Sequence, residues 1–554
     1  MTRAETKHIH ARAGTWAPWA ESSAVVLALV LLATIARLVY LAWFNPYPLI
    51  EDEAHYWEWS RRLEWSYYSK GPGIAWAIAA SVKLLGTSEF GVRAPAAIAG
   101  AIAALAMAGL ARDAMGDKRA GFFAAVCLML SPVFQALSLL STIDMPYVAC
   151  WMLAVWAAWR CLHRAGTWSW VGLGAAIGAG VLFKYTALLL VPGLLVYAVA
   201  RRGRLRLHRR AGTLVLGAIA IGLLGIAPVV IWNAENGWPT VHHLLGHLGV
   251  KGGDMPEARE TYSPLWTLTF LVSQLGLAGA VGVLAVIGGV KALRDHDVSS
   301  DGPRESAVFL LLAAAPIFLF YLFVSFVSEG EANWAIAGHA TLIPLAAFGL
   351  VRGMDRFTVL MARWRGLAEP RPRWGFLLRR PETATQVAWH IAIGIGLVAG
   401  IGMLRPDWAS SLPGLGRYVP VARLTSATSN AGQVSELLAS LREQTHSEPM
   451  VISQHYGRAS QMAFYLPGRP TVFCSSSLMA GRRCQYDLWA DTDLRRATGL
   501  IGRPAVLLGA TREQWAPWFE RVEEIGELRG EHKRGRPAFL GYGFKGIGAG
   551  AGGS

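Results

Sequence analysis

Residues 23–44, SAVVLALVLLATIARLVYLAWF, form an apolar run long enough to cross a bilayer. A spanning helix needs about 20 mostly apolar residues, because no water in the hydrocarbon core satisfies backbone polar groups. The run exceeds a typical leader core, and no small-residue cleavage site comes after it, so a retained helix is expected. Further runs of this kind lie near 92–112, 119–138, 145–162, 167–183, 185–200, 211–232, 264–290, 306–327, 333–351 and 387–405, for about eleven spans in all. Composition agrees: 16% of the 554 residues are charged, against roughly 25% in a soluble domain. The tight pair 167–183 and 185–200 requires a turn at Phe183, Lys184 and Tyr185.

The formal net charge is +15. In a soluble chain this would suggest nucleic acid, but here the cations collect in alternate short loops. Arg3, Lys7 and Arg12 precede the first span. Arg112, Lys118 and Arg119, then Arg160 and Arg164, then RRGRLRLHRR, then Lys291, Arg294 and Arg304 occupy every second loop. The loop at 352–386 continues the pattern with eight arginines, whereas the short loops at 139–144 and 328–332 hold no Lys or Arg. The alternation predicts an integral membrane protein with a cytoplasmic N-terminus, an odd span count and residues 406–554 outside the cytoplasm.

Residues 406–554 read as a small α/β domain. PMVISQ, RPTVFC and RPAVLLGA have the character of short buried strands. GQVSELLASLREQ, YGRASQMAFYL and REQWAPWFERVEEIGEL are expected as helices, and the glycine-rich end GIGAGAGGS as disordered. No strand leads into a phosphate-binding glycine motif, so no nucleotide site is expected. No internal repeat of the transporter kind is present. Cys127, Cys150 and Cys161 fall in or beside apolar runs, while Cys474 and Cys484 lie in the tail. An oxidising compartment permits a bridge between the last two, but spacing does not fix the geometry, and the bridge stays open.

The loop 45–91 is the longest on the outer side and contains Glu51, Asp52, Glu53, His55, Glu58, Tyr67, Tyr68 and Lys70. EDEAHYWEWSRRL can form a helix, and GIAWAIAASVKLLG is apolar but short for a span. Three adjacent carboxylates are also what a solvated helix start looks like. Their company argues for more: Lys70 in SYYSKGP, and Asp144 in the next outer turn, STIDMP. Acidic groups at membrane depth are costly and often functional.

Six segments succeed one another in order: DEAHYWEW, YYSKGPGIAWAI, EFGVRAPAAIAG, STIDMP, FKYTALLLVPGLL and EANWAIAGHATLIPLAA. Over residues 45–350 this series resembles the bacterial branch of the protein O-mannosyltransferase superfamily. These are GT-C membrane glycosyltransferases that include the lipid A aminoarabinose transferases. The tail segment ASQMAFYLPGRPTVFC…RRCQYDLW is similar to the tails of such proteins but less diagnostic. The resemblance implies a GT-C transmembrane domain over 1–405 followed by the periplasmic domain 406–554. It implies an inverting transferase that uses a polyprenyl-phosphate-linked monosaccharide, with lipid A, an envelope glycan or a protein as acceptor.

By the same resemblance Asp52 is the candidate catalytic carboxylate, as general base or acceptor-positioning group, with Glu53 in support and Asp144 as second acidic motif, orienting the acceptor or a metal. Lys70 would bind the donor phosphate, with Tyr67 and Lys184 as further donor-side candidates; a snorkelling lysine at a helix end is the plain alternative for Lys184. Glu331, Asn333 and His339 are candidates to line the acceptor side or to be structural, and Trp334 reads as an interfacial anchor. The sequence departs from its relatives around Lys70. Ser69 stands where they often carry Glu, and Gly71 where they carry Pro. A metal site using that Glu is therefore in doubt. His55, His242, His243, His247 and His339 show no zinc-helix signature, so no metal is assigned, and a divalent ion stays an open alternative. A secondary transporter, or a membrane scaffold with a binding tail, would explain the spans. Neither explains the long acidic first loop, and a transporter explains neither the large tail nor the missing repeats.

Overall fold

The computed structural model describes residues 16–248, 250, 253–254, 262–295, 302–366, 381–411, 421–528 and 536–547. The cations Arg3, Lys7, Arg12, Arg371, Arg373, Arg379 and Arg380 and the end 548–554 lie outside these residues.

All eleven apolar runs are helical. Among the described residues eight helices are long and apolar enough to cross a membrane: Ser23–Phe44, Glu89–Ala114, Asp144–His163, Ala211–Glu235, Pro264–Leu293, Pro303–Val324, Ala332–Thr358 and Thr383–Leu404. Arg119–Leu130, Thr167–Phe183 and Tyr185–Ala200 are the shorter three. The chain is an α-helical polytopic membrane protein with a small C-terminal α/β domain. The short helices have local causes. Ser131 is extended (φ −69°, ψ 122°) ahead of Pro132, whose ring disfavours a helical residue before it. Lys184 is extended (φ −150°, ψ 123°) and ends Thr167–Phe183, at the turn expected from the sequence.

Two compact units make up the chain: Met1–Tyr40, Ala94–Pro228 and Tyr262–Leu404 form one, and Leu41–Arg93, Val229–Thr261 and Arg405–Ser554 the other. The first loop and residues 229–261 group with the tail, because residues far apart in sequence contact one another there.

In the first unit the helices approach closely at small residues. A Cβ on Gly174 would lie 2.3 Å from the Ala218 carbonyl oxygen, and one on Gly225 would lie 2.5 Å from Gly178 Cα. Pro264–Leu293 meets Ile336–Gly366 in the same way: a Cβ on Gly288 would lie 1.8 Å from the Leu345 carbonyl oxygen. Lipid tails are as apolar as leucine, so close backbone packing rather than hydrophobic burial holds such helices together.

In the second unit a five-stranded sheet runs in the order β2-β1-β3-β5-β4. The strands are β1 (Met450–Ser453), β2 (Phe473–Cys474), β3 (Ala505–Leu508), β4 (Phe519–Leu528) and β5 (Arg536–Phe544). β1 pairs in parallel with β2 and β3, while β5 runs antiparallel to β3 and β4. Ile452, Leu507, Trp515, Phe519 and Phe539 are among its core residues. Helices Val421–Thr445 and Tyr456–Tyr465 match the sequence reading. REQWAPWFERVEEIGEL does not: only Arg512–Trp515 is α-helical, and β4 begins at Phe519 after the turn at Ala516–Trp518. Pro517 cannot continue the helix, and β4 buries Phe519, Val522 and Leu528 against its partners. Cys474 and Cys484 are buried, unbridged thiols.

Candidate active site

In the second unit, helix Glu51–Ser60 carries three consecutive carboxylates. Successive helical residues point about 100° apart, and the three side chains meet three environments. Glu53 is fully buried and takes two hydrogen bonds from the Arg93 guanidinium, at 2.8 and 2.6 Å. Its Oε2 also accepts the Ile50 amide at 3.1 Å, closing the first turn. Arg93 further donates to the Tyr47 and Pro48 carbonyls, at 2.8 and 2.9 Å. Glu53 is therefore an anchor between helix and loop, with both oxygens engaged. Glu51 lies 3.6 Å from His455 Nδ1 and 3.5 Å from Arg458 Nε. Asp52, between them, is the exposed member.

Residues 61–70 brace the helix from its C-terminal end. Glu58, fully buried, receives Arg61 at 3.0 Å and Arg62 at 2.6 Å. Tyr67 is buried and stacks on Trp59 with centroids 4.4 Å apart. Its hydroxyl donates toward the Trp59 and Arg62 carbonyls, each at 3.0 Å, and accepts the Glu64 amide. This hydroxyl is part of the loop's own framework. The neighbouring Tyr68 hydroxyl is buried and has no hydrogen-bond partner among the described residues. Glu64 accepts the indole N–H of Trp489 at 2.6 Å and that of Trp232, tying the loop to two other segments of this unit.

Lys70 is half-buried. Its charge acts on His243 and His247, as does that of Arg482. Burial first, then these cations, push His243 down to about 2 and His247 to about 4, so both rings are neutral at physiological pH. Their Nε2 atoms lie 3.1 Å apart, and His243 Nδ1 faces Asp254 at 3.3 Å. Burial also holds His55 well below its usual value, with Arg482 adding to the effect. Tyr456 connects this cluster to the acidic helix. The Arg482 guanidinium lies 5.5 Å from its ring centroid, its ring is 4.6 Å from His55, and the charges of Asp52 and Arg482 both act on it. Sequence reasoning assigned no role to Arg482, Tyr68 or Tyr456.

In the first unit, Asp144, Lys184 and Asn333 come together. Lys184 Nζ donates to one Asp144 oxygen at 3.0 Å, and the Asn333 amide donates to the other at 2.8 Å. Both charged groups are buried, and Lys184 also faces the Tyr147 ring at 5.5 Å. The Lys184 ammonium is thus the counter-charge of Asp144, neither a snorkelling end nor a free cation. Glu331 is exposed, and its carbonyl accepts the Trp334 amide at 3.1 Å. His339 hydrogen-bonds Gln274 at 2.9 Å. Both line a cavity of about 630 Å³ whose other walls include Leu275, Val283, Ile287 and Leu345. Such a lining suits a lipid chain better than a polar acceptor.

Among the described residues no three His, Cys, Asp or Glu side chains come together as a metal-holding group. Ser69 stands before Lys70, where the resemblance implies a Glu.

The family model described as dolichyl-phosphate-mannose-protein mannosyltransferase matches residues 69–232. The lipid A galacturonosyltransferase RgtD of Rhizobium johnstonii is 27% identical over 330 residues, 58% of this chain and 64% of that protein. Undecaprenyl phosphate-alpha-4-amino-4-deoxy-L-arabinose arabinosyl transferase 2 of Pseudomonas fluorescens is 29% identical over 216 residues, 35% of this chain and 37% of that protein. The chain thus spans less than two thirds of the length of these curated relatives. Among solved structures, ArnT from Cupriavidus metallidurans bound to undecaprenyl phosphate superposes with a TM-score of 0.61 at 18% identity, over 96% of this chain and all of that one. Its apo form gives 0.61 at 16% identity, over 94% and 98%. The chain has the fold of ArnT and is similar in sequence to transferases named for lipid A and for undecaprenyl-phosphate sugars.

Proposed function

We propose that the protein is a membrane glycosyltransferase that moves a monosaccharide from a polyprenyl-phosphate donor to a lipid acceptor of the lipid A type. The observation that carries this reading is the division of labour on helix Glu51–Ser60. Glu53 and Glu58 are buried in ion pairs, whereas Asp52 is exposed beside a neighbourhood bearing Lys70, Arg482 and neutral imidazoles. An exposed base near fixed cations is what sugar transfer from a phosphate requires. The relatives' names supply the substrate class: a lipid A acceptor for one, an undecaprenyl-phosphate sugar for the other.

The acceptor hydroxyl oxygen attacks the anomeric carbon from the face opposite the phosphate, so the configuration inverts. The bond from that carbon to the phosphate oxygen breaks, and its electron pair leaves with the polyprenyl phosphate. Asp52 takes the acceptor proton, a contribution typically of about 10²–10⁴-fold. Lys70 stabilises the charge that grows on the departing phosphate, as a compact point charge. Asp144, held by Lys184 and Asn333, takes no step in this reading. No step is routed through a metal.

The same proposal places the chain in a bacterial inner membrane, with its N-terminus cytoplasmic and the 45–91 loop and tail periplasmic. Loop charge supports it. Reporter fusions at residues 205 and 375 should then signal cytoplasm, and fusions at 240 and 430 periplasm. A cytoplasmic signal at 430 overturns this placement. The activity is tested with the purified full chain, a polyprenyl-phosphate sugar and lipid A, by mass spectrometry. A lipid A product heavier by one sugar, with release of polyprenyl phosphate, is expected. Solute uptake in liposomes without consumption of lipid-linked sugar would favour a transporter instead.

A further inference from the structure

The tail segment RRCQYDLW has no task in the mechanism above. We propose that Arg482 in this segment is a second cation of the donor-phosphate site, acting with Lys70 and with the Tyr68 hydroxyl as a neutral donor. This inference rests on the reading of Lys70 as a phosphate ligand and assigns the C-terminal domain a direct part in donor recognition.

Arg482 Nε and Tyr68 Oη are buried donors with no hydrogen-bond partner among the described residues, and His243 Nδ1 and both Asp254 oxygens beside them are likewise without one. Tyr68 is only 2% exposed. Buried polar groups are nearly always satisfied, and orphaned donors are retained where something else satisfies them. The Tyr68 ring lies 5.2 Å from that of His243. Arg482 lies 5.5 Å from the Tyr456 ring centroid, and its charge and that of Lys70 converge on His243 and His247. Both imidazoles are neutral, so the two permanent cations face no protonated histidine that would compete for the same anion. Asp254 is the carboxylate within this field. It faces His243 at 3.3 Å, and burial raises its own pKa.

The chemistry selects a phosphate whose charge grows during the reaction. The donor is a phosphodiester with one negative charge, and the departing polyprenyl phosphate is a monoester approaching two. A second cation is therefore more strongly engaged by the leaving group than by the donor, and interactions that strengthen in the transition state accelerate the step. Arginine suits this task because its planar fork can bind two phosphate oxygens at once, whereas lysine binds as a point.

Binding is measured on the full chain in detergent with three probes: undecaprenyl phosphate, undecaprenol and inorganic phosphate. The variants are Arg482→Gln, Arg482→Lys, Lys70→Ala and Asp254→Asn. Arg482→Gln should weaken undecaprenyl phosphate by roughly ten-fold or more, as expected for a lost charge-assisted pair, and Arg482→Lys by less. Undecaprenol binding should be unchanged, Asp254→Asn should not weaken undecaprenyl phosphate because it removes negative charge from this field, and in Arg482→Gln kcat should fall more than the donor KM rises. If Arg482→Gln binds undecaprenyl phosphate normally while Lys70→Ala does not, Arg482 is a counter-charge of the fold and the inference fails alone. If neither variant loses affinity, the Lys70 reading fails and takes this one with it. Equal losses for undecaprenol and its phosphate mark a structural lesion and also overturn the inference. Arg482-dependent binding of inorganic phosphate without that of the lipid phosphate overturns the lipid assignment.

Discussion

Two acidic clusters in this molecule handle charge in opposite ways. On helix Glu51–Ser60 the acids are divided: Glu53 and Glu58 are buried against arginines, while Asp52 remains exposed. At the turn opening Asp144–His163 there is no such division. Asp144 is buried with both oxygens engaged, one by Lys184 and one by Asn333. The first cluster keeps one carboxylate accessible for proton transfer by using its neighbours to fix the backbone. The second neutralises its single carboxylate on the spot. Burial against a counter-charge therefore separates the architectural acids from the candidate base better than a place in a motif does.

That contrast is most strongly tested at Glu53. Glu53→Gln leaves the Arg93 guanidinium buried without its counter-charge, and breaking a buried pair from one side costs about 3–5 kcal/mol. Loss of monodisperse protein, or a large drop in Tm measured in detergent, is expected. A well-folded Glu53→Gln variant lacking only turnover would instead make Glu53 the base. Lys184→Gln comes next, at the lower end of the same range of about 3–5 kcal/mol, because Asp144 keeps the Asn333 amide. Adding Asp144→Asn should restore much of the Tm, since the uncompensated charge is then gone. No recovery in the double variant would mean that the pair is more than mutual neutralisation.

Much of this was readable in the sequence, for a physical reason. Apolar runs of spanning length admit one backbone solution in lipid, so all eleven helices and the break at Lys184 were visible locally. The helical start at Glu51 was equally local. Strands β4 and β5 were not. FERVEEIGEL alternates poorly because much of β4 is exposed, and it is stabilised by pairing with β5, a strand not expected from the sequence. The site obeyed the same rule. Asp52 and Lys70 became candidates through motif resemblance, but Arg93, Arg482 and His243 acquire meaning only through contacts across long stretches of chain. Arg93 did leave a signal: it is a cation at the end of a span opposite the basic loops, an exception to the charge pattern.

Asp52→Asn should affect chemistry and little else. It preserves size while removing the base, and kcat should fall by roughly 10²-fold or more with Tm and donor binding unchanged. Turnover of the purified variant near that of wild type would remove Asp52 from the mechanism. A gentler contrast involves pH. His243 and His247 have folded values of about 2 and about 4, below the unfolded value of about 6.5. Between those limits the unfolded chain binds more protons, so stability rises with pH. The contribution is fully present above about 6.5 and is lost as pH falls toward the folded values. Tm should therefore decline on acidification from pH 6.5 to 4, and His247→Gln should flatten that decline. An unchanged slope would mean that His247 is not held neutral by its surroundings.

The smallest effect is expected at Glu51, one residue before the proposed base. Its carboxylate lies 3.6 Å from His455 and 3.5 Å from Arg458, and it is partly exposed, with 37% of its side chain accessible. Ion pairs in such settings are screened and contribute about 0–1 kcal/mol. Glu51→Gln should therefore keep activity within a few-fold of wild type and leave Tm nearly unchanged, as double-mutant measurements on exposed pairs lead one to expect. Replacing Gly457 should be more harmful, because a Cβ there would lie 2.5 Å from Glu51 Cβ. The backbone approach, and not the Glu51 charge, then sets how helix Tyr456–Tyr465 meets the acidic helix. Measuring Gly457→Ala beside Glu51→Gln separates the two. If Glu51→Gln lost as much turnover as Asp52→Asn, the chemistry would belong to a pair of acids and the division of labour along this helix would fail. If Gly457→Ala alone reduced turnover and Tm together, the charge at Glu51 would be incidental and Asp52 would stand as the single acid on this helix whose charge the reaction needs.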